Sequence, residues 1–257
     1  MFDLQLYLAA LLALGIVVTA TWVLGTAKRD VSIVDSVWSL LFLTAAVVYV
    51  QRSEIAATRD TWMLALVALW ALRLAIYLTW RNWGEPEDHR YVKIRAHNEP
   101  NFALKSLWIV FWLQGVLAWI VSLPLLAAAN STAPLSALDY LGAAAVLFGI
   151  VFESVADQQL ASFKASPANQ GKVMDHGLWR YTRHPNYFGE FVVWWGFYLM
   201  AVAAGGWWSL PGPLLMSVLL MKVSGVTMLE KDIGKRRPAY QEYIARTNTF
   251  FPGRPRM

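Results

Sequence analysis

LQLYLAALLALGIVVTATWVLG, residues 4–25, contains no charged side chain. About 20 mostly apolar residues are needed for a helix to cross the roughly 30 Å of hydrocarbon in a bilayer, and this stretch meets that length. Reading outward from it, six more stretches have the same character: 33–50, 61–80, 106–128, 138–158, 187–204 and 208–228. The second and sixth are short for a perpendicular crossing. Pro124, Pro211 and Pro213 fall near span ends, where a missing backbone N–H matters least. The pattern predicts an all-α membrane protein of seven transmembrane helices, organised as one membrane domain over residues 1–257.

Composition agrees. Of 257 residues, 57% are hydrophobic and 15% charged, with a mean hydropathy of +0.41. Soluble domains average about 45–50% apolar and about 25% charged, so composition argues against a water-soluble enzyme and excludes a disordered or fibrous chain. Fourteen Trp and ten Tyr supply interfacial belts. The first span lacks a basic start and a small-residue cleavage site ahead of Lys28 and Arg29, so a retained helix is expected rather than a signal peptide. No repeat is evident.

Lys and Arg fix the expected orientation. Eighteen of the 22 lie on one side of the seven-span scheme, from Lys28 through the stretches 81–105 and 159–186 to the tail after 229. Arg52 and Arg59 alone fall on the other side, and Arg73 and Lys222 lie within spans. Because basic residues stay cytoplasmic, the N-terminus is expected outside and the C-terminus in the cytoplasm. The long cytoplasmic stretches are basic but also carry acids, His, Asn and Tyr in tight groups. That mixture suits a polyanionic ligand as well as anionic lipid headgroups.

The densest group is GLWRYTRHPNYFGE, residues 177–190. Pro185 suits the first turn of a helix, and a helix N-terminus favours anions. Arg180, Arg183 and His184 are therefore expected beside a phosphate, which the planar guanidinium binds through two oxygens. Asn186 and Glu190 are one helical turn apart and share a face. A carboxylate that deep needs a partner, so Glu190 is expected to meet a ligand hydroxyl or amide, or a basic side chain. Glu153 and Asp157 repeat the spacing at the end of the fifth span, with Lys164 two turns on. After the last span come Glu230, Lys231, Lys235, Arg236, Arg237, Tyr240 and Tyr243. The two tyrosines share a helical face, and rings next to arginines suit adenine and phosphates.

Nearer the N-terminus, Asp35 lies early in the second span, while Arg73 and Tyr77 lie one turn apart in the third. An Asp35–Arg73 ion pair, or a donor for a developing oxyanion, would account for them. Asp88, Arg90 and Tyr91 form a fourth polar set to which the sequence assigns no role. No Rossmann glycine motif, P-loop or GxSxG is present. There is no cysteine, and His89, His97, His176 and His184 lack metal-ligand spacing, so no metal is expected.

The run Arg183-His184-Pro185-Asn186-Tyr187, continuing to Gly189 and Glu190, together with the closing Tyr243 and Phe250-Phe251-Pro252, resembles the steroid 5α-reductase superfamily, in its bacterial branch. The resemblance covers most of the chain and is strongest from Glu153 onward. It implies seven helices with a cytoplasmic C-terminus, in a bacterial inner membrane. It also implies NADPH held between the cytoplasmic loops and the last helices, and reduction of a carbon–carbon double bond conjugated to a carbonyl in a lipid-like substrate. Asp157 and Lys164 then resemble the family's acidic and basic cofactor contacts, and Asn186 its holder of the nicotinamide end. Glu190 resembles its helix carboxylate. Arg180, Tyr181, Arg183, Arg236, Arg237 and Tyr243 fall at phosphate and adenine contacts, with His184, Tyr187, Glu230 and Tyr240 beside them. The family's substrate grip, a Gln-Glu pair and a Tyr, is missing: Asp35 and Tyr77, with Arg73 behind, stand in its place. Expected partners are an apolar small molecule from the bilayer and membrane lipids, with no nucleic acid and no obligatory protein. Membrane methyltransferases share an Arg-His-Pro-x-Tyr-x-Gly-like segment, so an S-adenosylmethionine-dependent methyltransferase is the alternative. S-adenosylmethionine needs few arginines, whereas NADPH needs several, and the arginine supply favours NADPH.

Overall fold

A computed structural model describes residues 2–51, 58–129, 131–223 and 239–256. Among them there are helices and turns and no strand. Five helices are long and apolar enough to cross a membrane: α1 (Leu4–Lys28), α2 (Ile33–Gln51), α3 (Thr58–Asn82), α5 (Phe102–Ala128) and α6 (Ala137–Ala165). Between α3 and α5 lies the polar helix α4 (His89–Asn98), in a stretch the sequence reads only as a loop. The sixth expected span is α7 (Pro185–Ala203), which begins on Pro185 as its ring predicts. The seventh is α8 (Pro211–Val218), followed by a wider π turn over Leu219–Val223. Residues 224–228 of that stretch lie outside the described residues, and the tail helix α9 (Ala239–Arg246) follows.

Local chemistry sets several ends. Asp3 caps α1 by accepting the Leu6 N–H at 2.9 Å, and Arg29 closes that helix in the left-handed region at φ 55°. Within α5, residues Leu107–Trp112 form a π turn. Such turns are rare and concentrate at functional sites, because the extra residue rotates everything beyond it.

The chain divides into two compact units, residues 1–139 with 200–212, and residues 140–199 with 213–257. In the first, α1 packs on α2 and α5, and α2 on α3. Gly15 admits Trp112 so closely that a Cβ there would lie 2.7 Å from the ring. Apolar side chains such as Leu12, Ile16 and Ile76 face outward, as they do in a lipid-facing helix. The loop before α6 is locked to the start of α3 by a buried pair. Arg59 Nε lies 2.6 Å from Asp139 Oδ1, while its Nη1 and Nη2 donate to the carbonyls of Ala133 and Pro134.

In the second unit α6 crosses α7 at glycines. A Cβ on Gly149 would sit 2.6 Å from the Gly189 carbonyl oxygen, and one on Gly189 would sit 2.7 Å from Glu153 Cβ. Small residues at a crossing let two helix backbones touch, the usual device where no solvent drives helices together. This contact fixes the seam along which the polar residues of the unit are arrayed.

Candidate functional site

Within the second unit, the α6–α7 seam collects the acids that the i, i+4 spacings placed on two separate helices. Glu153 and Asp157 on α6 are each 3% exposed, and Glu190 on α7 is 8% exposed. Asn186 Nδ2 donates to Asp157 Oδ1 across 3.3 Å. One N–H of the amide is thus engaged. Asp157 and Asn186, expected on two separate helices, meet through this contact, and Glu190 lies one turn further along α7. His184 and Tyr187 stack beside it, with ring centroids 5.8 Å apart and planes 5° from parallel. Arg180, Tyr181 and Lys164 lie on the unit's exposed surface.

Arg183 departs from its expected role. It is 6% exposed. Its Nη1 donates to the carbonyls of Thr247 at 2.6 Å and Ile244 at 3.2 Å, and its Nη2 to Thr249 Oγ1 at 2.8 Å. Instead of presenting a fork to a phosphate, the guanidinium caps the C-terminal carbonyls of α9. The reason is geometric: the tail folds back on the 177–184 turn. There the Arg183 N–H donates to the Asn248 carbonyl, Thr182 Oγ1 to the Phe250 carbonyl, and the Gly253 N–H to the Tyr181 carbonyl. Tyr243 departs likewise. Its ring is 1% exposed and packs edge-on against Tyr240, and its hydroxyl donates to the Trp179 carbonyl at 2.5 Å. It anchors α9 and offers no open face for an adenine. Glu230, Arg236 and Arg237 lie outside the described residues.

A second polar cluster, confined to the first unit, forms around Asp35. The expected Asp35–Arg73 pair is not what the structure shows. Asp35 Oδ2 accepts from Arg90 Nη2 at 2.6 Å, and Oδ1 from the Tyr91 hydroxyl at 2.5 Å. Arg73 instead lies over the Tyr77 ring, 5.5 Å from its centroid, with Arg81 also against that ring at 5.8 Å. The Asp88, Arg90 and Tyr91 set, without an expected role, is thus the one that engages Asp35. Arg90 is held from its other edge by Asp88, whose Oδ1 accepts from Nε at 3.0 Å and Oδ2 from Nη2 at 3.1 Å. Gln114, two residues beyond the π turn of α5, donates to the Tyr91 hydroxyl at 3.3 Å. Beneath them Glu87 receives the Val31 N–H and both Nε and Nη2 of Arg95, pinning the start of α4 to the α1–α2 turn.

The electrostatics follow from these contacts. Burial alone would raise the Asp88 carboxyl. The side-chain and backbone hydrogen bonds from Arg90 outweigh it and hold the group below the usual carboxylate range. Burial pushes the Tyr91 phenol up, and the adjoining Asp35 charge pushes it further, so it stays protonated. Arg90 is desolvated, yet Asp35 and Asp88 more than compensate and keep it cationic. The cluster is a rigid, hydrogen-bonded set of fixed charges at the ends of α2 and α4.

The described residues are all-helical, with five helices long and apolar enough to cross a membrane, which is the composition of a membrane protein. The chain belongs to the family described as "Protein of unknown function (DUF1295)", whose model matches residues 21–247. It is also similar to the "Uncharacterized protein C594.04c" of Schizosaccharomyces pombe, with 25% identity over 282 residues, covering 96% of this chain and 79% of that protein. No solved structure matches.

Proposed function

We propose that the protein is a membrane-embedded, NADPH-dependent reductase of a conjugated carbon–carbon double bond in an apolar, lipid-like enone. In this reading it is kin to the steroid 5α-reductase superfamily and crosses a bacterial inner membrane seven times, with the N-terminus outside and the C-terminus in the cytoplasm. The observation that carries the reading is the Asp157–Asn186 contact in the α6–α7 seam, with Glu190 one turn further. The donor set suits the nicotinamide–ribose end of a dinucleotide. Asp157 and Glu190 accept from hydroxyls or amide N–H groups, and Asn186 Oδ1 accepts from a carboxamide. Exposed Arg180 and Lys164 carry the charge for phosphates, whereas Arg183 is engaged by the tail.

NADPH, when bound, supplies a hydride to the β-carbon of the enone. The chain supplies the rest. Asp157 orients the Asn186 amide, so that end of the cofactor is held in one rotation. Negative charge gathers on the substrate's carbonyl oxygen and needs a donor. Water supplies the proton at the α-carbon.

One observation favours the methyltransferase alternative: three buried acids line the seam while Arg183 is engaged elsewhere, and a sulfonium cation would suit that balance. The two readings separate in a transfer experiment. Purified protein given 4-deuterated NADPH and a long-chain enone should place one deuterium on the β-carbon, and Asn186→Ala should abolish the transfer while expressing normally. Methyl transfer from S-adenosylmethionine, with no deuterium incorporated, would overturn the reductase reading.

A further inference from the structure

A pocket of about 340 Å³ opens in the first unit, where α1 begins and where α5 and α7 end. Small-molecule sites run from about 300 to 1,000 Å³, so a small ligand fits. One wall is the turn that closes α7. Gly205 takes the left-handed region at φ 82°, its N–H donates to the Val202 carbonyl at 2.9 Å, and the Gly206 N–H donates to the Ala201 carbonyl at 2.7 Å. This is a Schellman cap, which needs a residue free of a Cβ at the left-handed position. Gly206 also lets the turn press on the end of α5, because a Cβ there would collide with that of Ala127. The facing wall is Ser131, Thr132 and Ala133, and Ser131 Oγ joins the two by donating to the Ala204 carbonyl at 3.4 Å.

Charge decides what the pocket takes. Asp3 is the one charged side chain among its described lining residues. One oxygen of this exposed carboxylate caps α1 by accepting the Leu6 N–H at 2.9 Å. The last carbonyls of a helix lack partners within it, so the ends of α5 and α7 add partial negative charge. Arg59 donates to the Ala133 carbonyl, but Asp139 neutralises its charge. Trp208 supplies an aromatic wall, set edge-on to Phe2 with ring centroids 5.3 Å apart. A carboxylate, two helix C-termini and an indole all attract a cation, and carbonyl acceptors reward one that carries N–H donors. No group of side chains sufficient for a metal ion gathers among the described residues.

We propose that this pocket binds the primary ammonium of a small organic amine, with Asp3 as its counter-ion and Trp208 as its aromatic wall. An ethanolamine phospholipid and a free amino alcohol share that chemistry. The site stands apart from the reductase reading, which uses none of these residues.

The test uses the full-length protein in neutral detergent at pH 7. Ethanolamine, ethylene glycol, dihexanoyl phosphatidylethanolamine and dihexanoyl phosphatidylcholine are titrated separately. Apparent dissociation constants are read from the rise of the unfolding midpoint with ligand concentration. Both amines should stabilise the protein, and ethylene glycol should not. Phosphatidylethanolamine should bind roughly tenfold more tightly than phosphatidylcholine, which has lost its N–H donors. Asp3→Asn keeps the helix cap, since Asn caps as well as Asp, so the ligand-free midpoint should hold while both amines weaken roughly tenfold. Trp208→Leu should weaken them roughly fivefold. Tighter binding of the lipid than of ethanolamine supports the site with a membrane lipid as its ligand, and equal binding supports it with a soluble amine. No stabilisation by either amine, an equal effect of ethylene glycol, equal affinity for phosphatidylcholine, or unchanged amine affinity in Asp3→Asn would overturn the proposal.

Discussion

Replacing Arg183 with Met tests whether this side chain is a tail clamp. The guanidinium makes three hydrogen bonds, to the Thr247 carbonyl at 2.6 Å, Thr249 Oγ1 at 2.8 Å and the Ile244 carbonyl at 3.2 Å. Hydrogen bonds from a charged donor contribute about 1.5–3 kcal/mol each. The three are not additive, because water can reach the released carbonyls once the tail lifts, so a net loss of about 3 kcal/mol is the working figure. At about 1.4 kcal/mol per factor of ten, the open population of the tail rises roughly a hundredfold. Hydrogen exchange of the peptide covering 247–256, read by mass spectrometry, reports this directly, since the Gly253 N–H donates to the Tyr181 carbonyl at 3.1 Å only when the tail is docked. Arg183→Lys should not rescue, because an ammonium cannot span the three acceptors in fork geometry. Exchange within twofold of wild type would refute the clamp and return Arg183 to the phosphate contact its motif suggests.

Further outcomes follow from other contacts. Asp139→Asn leaves the buried Arg59 guanidinium without its ion-pair partner and should cost about 3–5 kcal/mol, seen as a large drop in the detergent unfolding midpoint; a change below 1 kcal/mol (about fivefold) would show the pair to be dispensable. Gly189→Val adds bulk where a Cβ would already sit 2.7 Å from Glu153 Cβ, so it should destabilise the protein and abolish dinucleotide binding together, and retained binding at wild-type affinity would contradict the seam. The folded Asp88 carboxyl is held below its ordinary 3.8, so its contribution is complete above that value and lost as pH falls through the lower folded one. Asp88→Asn should therefore flatten the acid limb of the stability–pH curve, and an unaltered limb would mean the carboxylate is not charged in the fold.

How much of this was legible in the sequence depended on range. Residues 4–25 announce a crossing helix because apolar length is a local property, and Pro185 announces a helix start because its ring acts on its own turn. The Asp157–Asn186 contact was half visible: each i, i+4 pair marks a face, but the crossing that joins the faces needs Gly149 and Gly189 in register. The partner of Asp35 was not visible. Arg73, in the next expected span, was the nearest cation by that logic, whereas Arg90 lies 55 residues away on a polar helix that gives no spanning signal. Arg183 misled for another reason. Residue type specifies a planar donor but not whether phosphate oxygens or the chain's own carbonyls will occupy it, and only the return of the tail decides that. The π turn over Leu107–Trp112 leaves no mark in an apolar stretch, so the placement of Gln114 came from the structure alone.

The central claim is that this chain holds a phosphorylated nicotinamide dinucleotide through the α6–α7 seam. The most direct measurement is the unfolding midpoint of the purified protein with NADPH, NADH or S-adenosylmethionine. NADPH at a hundred times its dissociation constant should stabilise by about 2.7 kcal/mol, with the shift lost in Asn186→Ala. A shift with S-adenosylmethionine and none with either dinucleotide would contradict the account.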